Sequence, residues 1–274
     1  MGYTEVCILV LSIYVAVTIY FSIRGMKQTH TMKDYAIGKG FSPWIVALSL
    51  AASITSAATF IINPGFVAYY GFSALLAMSI MLPLGLYISL VILSKSFRTM
   101  GLKSESLTLS QWIGKRFDSK AFALYMACIS LLLITFIVLI CVGLTKVLSN
   151  ALSSSETWVL IAIVIFVFGY MMVGGANTMV YTNTIQAILM ILVAIILLVS
   201  GHEHFENGIS GFVNKINQLD PQLSSPFNAS SPLFRDFFEV IFCNFVIGVA
   251  VVCQPHIITK SLMLKSDKDV NKYL

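Results

Sequence analysis

The sequence predicts an all-α membrane protein of about seven transmembrane helices, and three observations predict it. Of its 274 residues, 58% are hydrophobic and 11% charged. Mean hydropathy is +0.89. The chain also runs repeatedly for 18 residues or more without a charge, and about 20 apolar residues suffice to cross a hydrocarbon core of about 30 Å. Such a composition excludes a soluble enzyme domain, a disordered tail and a nucleic-acid module.

The apolar runs lie at 6–23, 44–70, 73–94, 121–147, 157–175, 179–200 and 237–259. The first has no basic start and no small-residue cleavage pattern after it, so it reads as a span rather than a signal peptide. None of the connectors is large enough for a second domain, which makes 1–274 a single transmembrane domain. Basic residues fix the expected orientation. Of 17 Lys and Arg, 14 fall in the segments 24–39, 95–120 and 260–272, on alternate sides from Lys146, Lys215 and Arg235. Because cytoplasmic loops carry the excess of Lys and Arg, the N-terminus is expected outside and Leu274 in the cytoplasm of a multi-pass cell-membrane protein.

The second run is the most informative. As one helix, 44–70 would extend about 40 Å, longer than the membrane is thick. Between Ser49 and Thr59, nine of eleven residues are Ser, Thr or Ala, and Asn63-Pro64-Gly65 follows. One reading is a helix broken at the midplane, whose carbonyls and hydroxyls (Ser53, Thr55, Ser56, Thr59) offer hard oxygens to a sodium ion. The other is a tilted helix whose small face packs against neighbours. Both stay open at this point.

The remaining polar features are sparse. Within the last run, Asn244 is the single interior amide, needing either another helix or a ligand as partner. At its end stand Gln254-Pro255-His256. Gly174-Gly175 separates the fifth and sixth runs, and Asn183 and Gln186, three apart, share a face that either lines an inner vestibule or belongs to a capped helix start. The outer connector 201–236 is Pro-rich, with a short helix expected near 212–219, while 107–117 pairs apolar with basic residues in the manner of an interfacial segment. The five cysteines lie in apolar runs without metal spacing, and His202 and His204 have no third ligand nearby. No nucleophile, metal cluster or acid pair stands in a span, so an enzyme is not expected.

Several stretches, taken in order, resemble the sodium:solute symporter family, which includes sugar, proline, pantothenate and monocarboxylate carriers. They are Asp34-Tyr35-Ala36-Ile37-Gly38-Lys39-Gly40, Ser53-Ile54-Thr55-Ser56-Ala57 with Pro64-Gly65, and Leu109 through Phe117, followed by Gly174-Gly175 with Thr184-Ile185-Gln186, and finally Gln254-Pro255-His256. Leu75-Leu76-Ala77-Met78, Pro83 and Asp220-Pro221-Gln222-Leu223 are most similar to its pantothenate branch. The resemblance implies a leading helix followed by core helices one to six of a five-plus-five inverted repeat, in which core helices one and six are broken. It further implies that the Ala52 and Thr55 carbonyls and the Ser56 hydroxyl form half of a sodium site, with Thr59, Asn63 and Asn244 facing the substrate. The rest of that sodium site and the C-terminal half of the fold would lie in a portion that this chain lacks. The chain departs from the family's pattern at Ile54, where some members are acidic, at Asn183, where Asp is usual, and at Ala176-Asn177, where Phe-Arg often stands.

The expected function is therefore sodium-coupled symport of a small organic solute, foremost a small organic anion such as pantothenate or a monocarboxylate. Sodium is the coupling ion, and the partners are the solute, the lipid bilayer and the remaining C-terminal half, with no nucleic acid. A symporter-like membrane sensor and a non-transporting fragment with a structural role are the alternatives.

Overall fold

A computed structural model describes residues 2–38, 40–56, 58–106, 108–205 and 207–274. Lys39, Ala57 and Leu107, which belong to stretches singled out above, lie outside the described residues. Every regular element among the described residues is helical. In order these are α1 (Tyr3–Met26), α2 (Met32–Ile37), α3 (Pro43–Ile54), α4 (Asn63–Tyr70), α5 (Phe72–Leu75), α6 (Leu82–Ser104) and α7 (Leu109–Arg116). They continue with α8 (Lys120–Leu131), α9 (Leu133–Leu152), α10 (Glu156–Ser200), α11 (Gly208–Leu219), α12 (Asn244–Val252), α13 (Pro255–Ile258) and α14 (Asp267–Tyr273). Three π-helical turns, Ala58–Ile62, Leu76–Met81 and Phe238–Cys243, interrupt the α-helical path.

Local chemistry explains where the connector helices start. Thr31, Thr108, Ser119 and Ser266 each accept a bond from the backbone N–H that opens the following helix, satisfying donors that have no helical partner. Pro43 occupies the first turn of α3, where its missing N–H costs nothing.

The long helices owe their existence to lipid. Among the described residues, four stretches are long and apolar enough to span (Tyr3–Met26, Phe72–Gly101, Lys120–Leu152 and Glu156–Ser200), or six when two broken pairs are each counted as one. A 45-residue α10 would reach about 68 Å as a single rod, over twice the hydrocarbon thickness. It is not one rod. At Gly175 the backbone has φ 54° and ψ −139°, so 156–174 and 176–200 are separate helices, and dividing α10 there yields the seven segments read from the sequence. Side chains such as Leu198, 80% exposed, face outward, an arrangement that water would penalise and acyl chains do not.

The chain groups into two compact units, one of residues 1–57, 96–187 and 259–274, the other of 58–95 and 188–258. In the first, α1 packs on α9, α7 on α8, and α3 on α14. The joint between α1 and the start of 176–200 is close: a methyl group at Gly25 would lie 2.7 Å from the Thr178 backbone, and the Thr178 hydroxyl donates to the Ser22 carbonyl at 3.2 Å.

In the second unit, Ala74, Ala77, Phe234 and Val240 form a core, with Phe66, Val67 and Tyr70 packed on it. Phe234 comes from the Pro-rich connector. Its N–H donates to Ser231 Oγ, and the Asn228 amide donates to the Tyr70 carbonyl at 3.4 Å, so this connector is tied down rather than loose. Its helix, α11, starts four residues before the expected 212. α6 and α12 cross at two glycines, Gly85 against the Phe245 carbonyl and Gly248 against the Leu82 carbonyl. At the same crossing the Ser89 hydroxyl donates to the Val249 carbonyl at 3.1 Å, the close backbone approach that small residues permit in membranes.

Candidate functional site

The helix α3 stops where the sequence is richest in hydroxyls. It ends at Ile54, and Thr55 turns extended, with φ −81° and ψ 122°. The Thr55 N–H still closes the last turn onto the Ala51 carbonyl at 2.8 Å. A helix end leaves its final carbonyls beyond the reach of the helical ladder. Helical structure resumes at Ala58 as a π turn that leads into Asn63-Pro64-Gly65. The break thus precedes Pro64 by most of three turns. The proline sits in the first turn of α4, directly behind that π turn.

Ala52, Thr55 and Ser56 therefore cluster around one helix terminus. Ala52 is buried, and Thr55 and Ser56 are half-buried. Their donor set is all oxygen, backbone and hydroxyl, which suits a hard cation and not a thiophilic or imidazole-seeking metal.

Asn183 is brought to this terminus. Its amide donates to Ser53 Oγ at 2.9 Å, and Ser53 Oγ in turn donates to the Ser49 carbonyl at 2.9 Å. Gln186, one turn further on, has a different neighbour, donating to the Tyr14 hydroxyl at 2.6 Å at the wall of an apolar cavity of about 560 Å³ lined by Leu11, Val15, Leu144, Leu148 and Phe166. The two amides share a helix but engage separate partners.

In the other unit, Thr59 is exposed and Asn63, four residues on, is half-buried. Asn244 is 5% exposed, and its amide donates to the Glu239 carbonyl at 2.8 Å, five residues back along its own π turn. That bond stays within its own segment.

Two features were not read from the sequence. Lys260 is 0% exposed, with Nζ donating to the Ser49 carbonyl at 3.0 Å and to the Ser49 hydroxyl. Among the described residues it pairs with no carboxylate. By position it is one more basic residue following an apolar run, and no sequence signal directs it back onto α3. The chain Lys260–Ser49–Ser53–Asn183 joins three segments beside the open helix end. A buried lysine amine held by neutral oxygens is expensive to charge, and in a membrane protein such a group marks a working region by default.

The second feature is a joint between two motif stretches. Asn177 is fully buried and donates to Thr29 Oγ1 at 2.8 Å and to the Asp34 carbonyl at 3.3 Å, while Thr29 donates to the Gly174 carbonyl at 3.1 Å. Tyr35 lies over Gly175, and its hydroxyl donates to the Met172 carbonyl at 3.3 Å. Asp34-Tyr35 and Gly174-Gly175, far apart in sequence, thus meet around an asparagine that stands where the family often has Arg. In the same unit, Arg98 is buried and bonds the Leu264 and Lys265 carbonyls and the Asp267 carboxylate, pinning the start of α14 to α6.

Comparison with known proteins agrees with this architecture. The family model described as the sodium:solute symporter family matches residues 35–273. The sodium/pantothenate symporter of Escherichia coli K12 is 29% identical over 97% of this chain and 55% of its own length. That of Haemophilus influenzae Rd is 25% identical over 97% and 54%. Sodium/proline symporter 2 of Staphylococcus saprophyticus is 26% identical over 93% and 50%. The chain spans about half the length of the curated relatives it matches. A multi-pass all-helical chain, matched by the family over nearly its whole length, belongs to the sodium:solute symporter family.

Proposed function

We propose that this chain forms the N-terminal portion of a sodium-coupled symporter that carries a small organic solute across the cell membrane, with a small organic anion such as pantothenate or a monocarboxylate as the favoured cargo. The observation that carries the reading is the end of α3 at Ile54, with Thr55 extended inside an apolar span. The names of the relatives support sodium coupling, and two of them name pantothenate. The Ala52 and Thr55 carbonyls and the Ser56 hydroxyl hold sodium. Thr59, Asn63 and Asn244 face the solute, and Asn183, with Gln186 beyond it, lines the inner polar route. The remaining half of the symporter completes the ion site. Residues 1–274 act as one transmembrane domain with the N-terminus outside and Leu274 in the cytoplasm, as the distribution of basic residues implies.

Coupling requires that sodium bind one conformation better than the other. A helix terminus serves this purpose, because its carbonyl directions change whenever the two helical pieces reorient. The test is uptake of labelled pantothenate, acetate and proline by the full-length protein, with sodium exchanged for choline. One substrate is expected to lose at least about tenfold in rate without sodium; uptake indifferent to the exchange refutes the reading. Ser56→Ala removes one of several oxygens, and the sodium half-saturation should rise severalfold while the substrate KM at saturating sodium stays put. An unmoved sodium curve would exclude that hydroxyl as a ligand.

A further inference from the structure

At the end of α6 and along α7 lies a cavity of about 290 Å³ lined by Met100, Lys103, Ser104, Trp112, Lys115 and Arg116. Lys103 stands in the last turn of α6, and Lys115 and Arg116 in the last turn of α7. A cation at a helix C-terminus is favoured by the helix dipole, which accounts for each residue singly. It does not account for their convergence on one space. None of the three forms an ion pair with a carboxylate among the described residues; Glu105 and Asp118 stand two residues from Lys103 and Arg116 along the chain, and the three cations outnumber them.

The local fold holds them there. Lys115 Nζ donates to the Ser104 carbonyl, tying the basic end of α7 to the end of α6. The Trp112 ring lies 5.0 Å from that of Phe97, and Ile113 is buried. On the other side, Gly114 packs on Ala123 of α8, close enough that a methyl group would come within 2.7 Å, and Phe117 meets Phe122 edge to face at 5.3 Å. α7 is therefore clamped, and its basic end is presented rather than left to wander.

The depth of the cavity is informative too. The spanning stretch Phe72–Gly101 ends beside Met100, and its uncharged run already gives out at Lys95, so the cavity sits at the polar end of a spanning helix, the end expected at a membrane–water interface. Trp112 and Met100 form its apolar wall and the three cations its polar wall. Tryptophan prefers that level of a bilayer, and basic pockets there attract phosphate headgroups. Guanidinium and ammonium donors suit phosphodiester oxygens.

We propose that this cavity is a binding site for the phosphodiester headgroup of an anionic phospholipid, with Lys103, Lys115 and Arg116 holding the phosphate and Trp112 seating the glycerol end. The site lies apart from the helix break and stands whether or not the sodium reading does. A free phosphate ion shares the charge but gains nothing from the apolar wall, and it is the rival the experiment must separate.

The full-length protein is placed in phosphatidylcholine nanodiscs doped with phosphatidylglycerol, and retained lipid is read by native mass spectrometry, with inorganic phosphate as competitor. Preferential retention of phosphatidylglycerol is expected, falling at least about tenfold in the triple variant Lys103→Gln, Lys115→Gln, Arg116→Gln. It should be unchanged in a control that removes the same charge at Lys265, Lys268 and Lys272. Lys103→Gln alone, which spares the bond to Ser104, should give a partial loss and keeps the test decisive if the triple variant does not fold. Equal loss in the control would show diffuse surface attraction and overturn the site. So would undiminished retention in the pocket variants, and displacement of the lipid by millimolar inorganic phosphate would overturn the lipid assignment.

Discussion

Gly175→Ala is expected to lower the unfolding free energy by at least about 3 kcal/mol, read as a fall in thermal midpoint in detergent. Gly175 has φ +54° with ψ −139°, a region that L-residues rarely enter, at a strain of about 1–3 kcal/mol. Its missing side chain is also where Tyr35 sits, since a Cβ there would lie 2.5 Å from the Tyr35 carbonyl oxygen and 2.7 Å from its ring. The neighbours cannot give way cheaply, because the same joint holds Asn177, Thr29 and Asp34 together. Gly169, six residues earlier in the same apolar helix, has nothing within 4 Å of a Cβ. Gly169→Ala should therefore be neutral or stabilising by up to about 1 kcal/mol. If the two substitutions cost the same, the joint does not hold the fold.

The second large effect is expected at Lys260, and it separates packing from polarity. Lys260→Ala empties the volume of a four-carbon stem in a fully buried place and should cost about 2–4 kcal/mol, as truncation of a Met-sized side chain does. Lys260→Met refills the volume and removes the amine. Because a buried amine held by neutral groups gains little over a hydrophobic replacement, the Met variant should fall within about 1 kcal/mol of the parent or above it. A Met variant as unstable as the Ala variant would mean that the bonds to Ser49, not the packing, hold the 259–274 segment on α3.

Much of the architecture was legible because lipid imposes a length on every apolar run, and runs such as 6–23 and 121–147 have no reading in water. The break in 44–70 was legible as a possibility, since hydroxyl density and length both argued for it while small-residue packing argued against. Its position was less so. Pro64 draws the eye, yet the helix ends at Ile54, and the proline merely opens α4 behind a π turn. Asn183 was read as a polar residue at a helix entrance, but its partner Ser53 lies 130 residues away. Lys260 was counted only for orientation, though its side chain reaches 211 residues back to Ser49. Such pairings escape a sequence reading for a physical reason. Helices that face lipid are apolar all round, so periodicity does not say which face meets a neighbour, and a few polar contacts decide it.

The π turn Leu76–Met81 fits one surplus residue into a helical turn. In a helix of 3.6 residues per turn, that surplus swings everything downstream by about 100°. Gly85 and Ser89 follow on the same rod, and their meeting with Phe245 and Val249 depends on that offset. Excising a single amino acid from 76–81 would leave the rod equally greasy and almost as long, but would steer its notch away from α12, like a key cut correctly and inserted at the wrong angle.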